Sequence, residues 1–328
     1  MSAFVLFVGL ALIIIIAAMF LSQFADGLAD QTGLGKTVTG LVLLAGATSL
    51  PEFSLGFSAI RMKAYDLTAG DVMGSSLINL LILAVLDLIF RTPGGILSRT
   101  AAAHALSGIV ACLMTAVALL GMLLDMPWTF LRLGVFSWGL IFTYLFCTRL
   151  IYLDQRSAAR LVESEAPHSD QVRSPAANAV GFLLCAVVIF LVAPRLAHTA
   201  DTLAASTGLG RTFFGTVFVA LMTSLPEAIS TFSAIRMKSP DMAIGNILGS
   251  NAFNMLILAL TDVASDQPVL SLVSPVHSIT AVCVILTTTV TLLCLLYRAE
   301  KRWWVIEPDA ALVVLMVIGS MYLVYLNR

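Results

Sequence analysis

The chain has 328 residues, 59% of them hydrophobic and 11% charged, with a formal net charge of −1. Roughly 25% of the residues in a soluble domain are charged, so this composition excludes one, and near-neutrality removes the basic surface that nucleic-acid binding requires. Several apolar runs reach about 20 residues, the length that crosses a bilayer core as a helix, which predicts an all-α, multi-pass membrane protein.

Hydropathy predicts ten spans, at roughly 3–22, 38–61, 68–90, 102–124, 129–151, 178–197, 212–236, 243–264, 272–297 and 308–326. The first is apolar almost from residue 3 and lacks a basic leader, so it reads as a span and not as a cleaved signal. A polar stretch at 153–177, with Asp154, Arg156, Arg160, Glu163, Glu165 and Pro167, reads as a linker. It divides the chain into a first half, 1–152, and a second half, 178–328.

The halves repeat one another. Thr48-Ser49-Leu50-Pro51-Glu52 recurs as Thr223-Ser224-Leu225-Pro226-Glu227, and Phe57–Lys63 recurs unchanged as Phe232–Lys238. Gly33-Leu34-Gly35-Lys36-Thr37 recurs as Gly208-Leu209-Gly210-Arg211-Thr212, and Gly70, Gly74, Ser75 and Asn79 recur as Gly245, Gly249, Ser250 and Asn254. Every pair is separated by 175 positions, without a gap from Asp26/Asp201 to Asp87/Asp262. Five spans per half is an odd number, so the second half is expected to enter the membrane from the opposite side. Two inverted five-helix repeats place a substrate site at the repeat interface near the midplane. Lys and Arg concentrate in the segments that an outside N-terminus makes cytoplasmic, among them Lys36, Arg156, Arg160, Arg173, Lys301 and Arg302. Both termini are therefore expected outside the cytoplasm, with Trp303 and Trp304 as interfacial anchors.

Glu52 and Glu227 lie deep in apolar runs, where a carboxylate is costly and marks function. Each shares a helix face with the threonine four residues earlier, Thr48 or Thr223. Pro51 and Pro226 offer no N–H to the carbonyls of Ala47 and Met222, and broken backbone inside a membrane is tolerated where it is buried or lines a wet cavity. Carboxylates, hydroxyls and freed carbonyls together suit a hard cation such as Ca2+, which takes about 6–8 oxygens, or Na+. No His or Cys accompanies the motif, which argues against zinc or copper. The following span of each half presents Ser75 and Asn79, or Ser250 and Asn254, on one face. The glycines four apart in front of them either let helices approach closely or help to shape the cage. Asp71 stands where the second half has Asn246; it is either an acid at the entrance to the cage or a helix-start residue favoured by the dipole. Asp87 and Asp262 either cap helix ends or line an ion path. The four histidines have no partners at ligand spacing, and the five cysteines read as small buried hydrophobes. No nucleophile–base pair points to an enzyme, and no resident cofactor is expected.

The doubled Thr-Ser-Leu-Pro-Glu and Gly-Ser-x-x-x-Asn motifs resemble the α-repeats of the cation/Ca2+ antiporter superfamily, and in particular its prokaryotic sodium/calcium exchangers. The two repeats fall at 38–90 and 212–264, and the resemblance covers the whole ten-helix plan. It implies a multi-pass protein of the cell (inner) membrane whose partners are inorganic cations and lipid. It implies a secondary antiporter exchanging Ca2+ for Na+ by alternating access, with Glu52 and Glu227 as central Ca2+ ligands. Thr48, Ser49, Thr223 and Ser224 would line the calcium and sodium sites, joined by Ser75, Asn79, Ser250 and the position of Asn254. The first and sixth helices would slide past the other eight. Several such exchangers carry Asp where this chain has Asn254, so the central site here holds two carboxylates, which balance one Ca2+, two Na+ or two H+. Proton-coupled exchange of a divalent cation is the alternative that this departure opens.

Overall fold

The computed structural model describes residues 3–32, 35–90, 104–124, 126–162, 174–206, 221–297 and 308–326. Within them the helices are α1 (Ala3–Thr32), α2 (Lys36–Thr48), α3 (Leu50–Arg61), α4 (Tyr65–Ile89), α5 (Ala105–Leu123) and α6 (Val135–Val162). The second half supplies α7 (Pro175–Ser206), α8 (Leu225–Arg236), α9 (Pro240–Leu260), the one-turn α10 (Val269–Leu272), α11 (Val276–Tyr297) and α12 (Pro308–Leu326). Seven of these, α1, α4, α5, α6, α7, α9 and α11, are long and apolar enough to cross a membrane. The bent pair α2–α3 forms an eighth, and α12 is a shorter apolar helix. The expectation of ten spans is therefore met in part. The start of the seventh expected span, with the repeated Gly208–Thr212, lies outside the described residues, as do His168, the middle of the linker, and Trp303 and Trp304.

Several boundaries differ from the hydropathy reading. Helix α1 continues ten residues past its apolar run because Asp26 and Asp30, four apart, face a cation: Lys36 Nζ lies 2.9 Å from Asp26 Oδ1 and 3.9 Å from Asp30 Oδ1. Helix α6 runs on to Val162, into the stretch read as linker, through strong helix formers such as Ala158, Ala159 and Leu161, and α7 begins at Pro175, a residue that suits a first turn. At the other end of α6, residues read as its start form a small antiparallel hairpin, β1 (Thr129–Phe130) and β2 (Leu133–Gly134). Leu131 and Arg132 both take positive φ, 53° and 65°, the geometry of a two-residue hairpin turn. Asp262 anchors this hairpin: its carboxylate accepts the Gly134 N–H at 2.8 Å and the Val269 N–H at 2.7 Å. Of its two readings, capping is the one observed.

The packing is layered around α4 and α9. In their most apolar windows 67% and 83% of residues are buried, against 22% in α1 and α7, which pack on each other at the periphery. Helix α9 lies against α2 almost backbone to backbone. A Cβ on Gly249 would fall 2.5 Å from the Leu41 carbonyl, one on Gly245 2.8 Å from that of Thr37, and one on Gly40 2.5 Å from that of Met242. The small-residue spacing thus serves close approach in the second half, whereas Gly70 meets only His277 Cε1, at an ordinary 3.5 Å.

Repetition extends to local conformation. Helices α3 and α8 both end in a turn where a lysine, Lys63 or Lys238, adopts φ near +60°. The next residue's N–H, from Ala64 or Ser239, reaches back to the Ala59 or Ala234 carbonyl at 2.9 Å, a Schellman closure with lysine where glycine is usual. Arg61 stacks over Phe57 and Arg236 over Phe232, at 4.8 and 5.8 Å, as interfacial anchors do. Two histidines without sequence partners have spatial ones in the opposite half: His104 Nε2 lies 2.9 Å from Asp241 Oδ1, and His277 Nε2 3.2 Å from Asp66 Oδ1. Spacing along the chain could not reveal these pairs, because each joins the start of one helix to the start of another more than a hundred residues away.

Candidate functional site

Ser49 leaves helical geometry at φ −85°, ψ 8°, and Ser224 does so at φ −79°, ψ 6°. The proline two residues on starts a new helix. In the first half the new helix diverges by 44°, and the stretch before the break, Thr39–Leu44, is a π-helix, a widened turn often found beside functional sites. Each break puts its glutamate in the first turn of a new helix, where the exposed N–H groups favour negative charge. Glu52 and Glu227 are both 0% exposed.

Both acids are held by serines of the first half. The Ser49 hydroxyl donates to Glu227 Oε1 at 3.1 Å. Ser75, from α4, donates to Glu52 Oε1 at 3.2 Å and lies 2.9 Å from the Ser224 hydroxyl. A polar chain therefore runs from Glu52 through Ser75 to Ser224, and from Ser49 to Glu227, joining both halves. The second oxygen of each glutamate, Glu52 Oε2 and Glu227 Oε2, is buried without a partner. The glutamates are near enough to interact electrostatically.

Behind them α4 and α9 are locked by amides. Asn79 Nδ2 donates to Asn251 Oδ1 at 3.0 Å, Asn251 Nδ2 to the Ser76 carbonyl at 3.1 Å, and Asn254 Nδ2 to the Val72 carbonyl at 3.1 Å and Ser76 Oγ at 3.3 Å. The nitrogens of Asn79 and Asn254 are thus committed to the facing helix, and their carbonyl oxygens are left buried and unpartnered, as is Ser250 Oγ. Two carboxylate oxygens, two amide oxygens and a hydroxyl, all buried without partners, are of the donor types that a hard cation takes. Buried polar atoms are ordinarily satisfied, so these orphans are the observation that most needs a ligand. Among the described residues no three His, Cys, Asp or Glu side chains converge; the cluster is two acids among neutral oxygens.

Each residue singled out from sequence can now be placed. Glu52, Ser75 and Ser224 form one hydrogen-bonded chain and Ser49 and Glu227 a second, and Asn79, Asn254 and Ser250 carry unpartnered oxygens. Thr48 and Thr223 stand beside these contacts, Thr48 within hydrogen-bonding reach of the Glu227 carboxylate. Thr48 Oγ1 bonds back to the Leu44 and Ala45 carbonyls at 3.0 and 3.3 Å and reaches Asn246 Oδ1 at 3.4 Å, while Thr223 Oγ1 donates to Asp71 Oδ1 at 3.4 Å. Asp71 is in the second turn of α4, and Asp66 takes the first, so the helix-start reading belongs to Asp66. Sequence reasoning passed over Asn251 and Ser76 as clamps, and it passed over Ser230 and Thr231, whose hydroxyls lie 3.0 and 2.9 Å from Asn246 Nδ2. Their positions three and four residues beyond Glu227, on its helix face, were the available signal.

Comparison with known proteins gives a consistent picture. A model of the family described as sodium/calcium exchanger protein matches residues 2–153 and 177–326. The chain is 26% identical to the CaxA protein of Alkalimonas amylolytica over 97% of both chains. It is 29% identical to the inner membrane protein YrbG of Escherichia coli over 77% of this chain and 76% of that one. The fold is that of the sodium-calcium exchanger NCX_Mj, with a TM-score of 0.74 over 98% of this chain and 99% of the other at 17% identity.

Proposed function

The chain belongs to the sodium/calcium exchanger protein family, and from that premise we propose that it exchanges Ca2+ for Na+ by alternating access at one site shared by Glu52 and Glu227. The observation that carries the reading is the pair of links between the halves, Ser49 to Glu227 and Ser75 to Ser224, with Ser75 also holding Glu52. A cation among the two unpartnered glutamate oxygens, the Asn79 and Asn254 carbonyls and the Ser250 hydroxyl is held by both halves at once.

The chemistry follows from charge. Two carboxylates neutralise one Ca2+ or two Na+, so the two cargoes compete for the same oxygens and an occupied site of either kind is close to neutral. Moving a compensated site past lipid avoids most of the cost of exposing bare charge to a low dielectric. The halves are inserted in opposite senses, so the α3 and α8 breaks approach the site from opposite faces. The peripheral pair α1 and α7 moves against the remaining helices to open each face in turn. The family consists of transporters, and on this reading both termini lie outside the cytoplasm.

Proton-coupled exchange is the second reading. Asn254 favours it, because its amide nitrogen is committed to Val72 and Ser76 and no third carboxylate joins the glutamates. One experiment tests both readings: purified protein in proteoliposomes, with Ca2+ uptake driven by a sodium gradient alone and then by a pH gradient alone. Uptake with the first supports sodium exchange, uptake only with the second supports proton exchange, and uptake with neither removes the antiporter reading.

A further inference from the structure

Position 71 and its repeat equivalent, 246, are built from the same backbone but carry opposite chemistry. Each is met by the threonine of the opposite motif, at the same distance: Thr48 Oγ1 lies 3.4 Å from Asn246 Oδ1, and Thr223 Oγ1 lies 3.4 Å from Asp71 Oδ1. At Asn246 the remaining valences are filled, since its Nδ2 donates to Ser230 Oγ at 3.0 Å and Thr231 Oγ1 at 2.9 Å. The residues that correspond to Ser230 and Thr231 in the first half are Leu55 and Gly56, and neither has a hydroxyl. Asp71 is 4% exposed and its Oδ2 is a buried acceptor without a partner. Asp66, the next acid on α4, is already engaged by His277 Nε2 and by the Ser274 N–H at 2.7 Å.

We propose that Asp71, with the Thr223 hydroxyl, forms an accessory cation subsite on one side of the glutamate pair, with no counterpart on the other side. The inference rests on the exchange reading for its cargo. Asp71, Ser75 and Asn79 lie on one face of α4 at four-residue spacing, so Asp71 is one turn, about 6 Å, from the Ser75–Glu52 contact. It lies towards the membrane face at which α3 ends and α4 begins. A carboxylate at that depth with a single hydroxyl donor is poorly compensated, and a cation arriving from that face meets it before the central pair. From the other face the equivalent position presents an amide whose hydrogen bonds are internally satisfied. Ca2+ is therefore captured more readily from the α3–α4 side.

The test compares Asp71→Asn, which installs the other half's residue with little change of shape, with the swap Asp71→Asn/Asn246→Asp. Ca2+ dependence of exchange is measured in right-side-out and in inverted membrane vesicles. Asp71→Asn should raise the half-saturating Ca2+ concentration about 5- to 30-fold, the scale set by one charge near a divalent ion, from the α3–α4 face and leave the other face within about twofold. The swap should move the sensitivity to the opposite face. Equal effects of Asp71→Asn on both faces, or none, overturn the proposal. Ca2+ titration of the purified proteins in detergent reads the subsite independently of transport. Weaker binding by Asp71→Asn, with an unchanged melting profile, supports it, and unchanged binding refutes it. Wild-type vesicles that carry no Ca2+ in either orientation sink the exchange reading, and the detergent titration still decides the role of Asp71.

Discussion

Ser49 and Ser224 break their helices at nearly the same angles, and Lys63 and Lys238 close the next helices at nearly the same φ. The side chains set on these matching backbones differ. Ser75 bridges Glu52 and Ser224, whereas its equivalent, Ser250, has an unpartnered hydroxyl. Asn246 is enclosed by hydroxyls, whereas Asp71 has one. A Cβ on Gly245 would press on the Thr37 carbonyl, whereas one on its equivalent, Gly70, would meet only a ring edge. The repeat thus preserves the main-chain scaffold of the site while the side chains of the two halves differ. A transporter working between unlike solutions has reason to be asymmetric in just those side chains.

Four experiments test this difference between the halves. The largest effect is expected where the halves are equivalent. Glu52→Gln and Glu227→Gln each remove half of the site's negative charge, and each should cut gradient-driven Ca2+ uptake at least ~100-fold, roughly 2.7 kcal/mol. Wild-type rates in either variant would show that the halves do not share one site. Next is Gly245→Ala, whose Cβ would meet the Thr37 carbonyl at 2.8 Å. A thermal melt in detergent should show a loss of about 1–3 kcal/mol, while Gly70→Ala should be neutral or gain up to about 1 kcal/mol of helix propensity. Equal losses would mean that both glycines are packed alike.

Ser75→Ala removes the donor to Glu52 and should lower the stability of ion-free protein by about 1–3 kcal/mol. Ser250→Ala should leave it within about 0.5 kcal/mol and act on Ca2+ affinity alone. A melt in chelator, followed by a Ca2+ titration, separates the two. The smallest effect concerns the anchors: Arg61 sits closer to its ring than Arg236 does. Arg61→Ala should cost about 0.5–1 kcal/mol and Arg236→Ala less, as read by melts in lipid nanodiscs.

Much of the scaffold was legible along the chain because it depends on local chemistry. Apolar length marks a span whatever surrounds it, and Pro51 and Pro226 interrupt hydrogen bonding wherever they stand. The hydropathy reading failed where a charge found a distant partner. It stopped α1 at 22 because it could not see Lys36 folding back on Asp26, and it left His104 and His277 unpaired because Asp241 and Asp66 come from the opposite half. It placed Thr48 and Glu52 on one helix face, but the break at Ser49 puts them on two helices that diverge by 44°, and it could not foresee that Glu227 would be held by Ser49, or that Thr48 would turn back to Leu44.

Repetition and main-chain propensity are properties of residue order, so the presence of two copies of one unit, the break in each and the oxygen-bearing side chains each brings could be read from the chain alone. Which serine supports which acid, which amide nitrogens are spent on clamping α4 to α9, and which oxygens remain without partners depend on the packed fold. Hydrogen bonds are short-range and directional, so their pairing between the two halves depends on how the helices are stacked and is not written at either end.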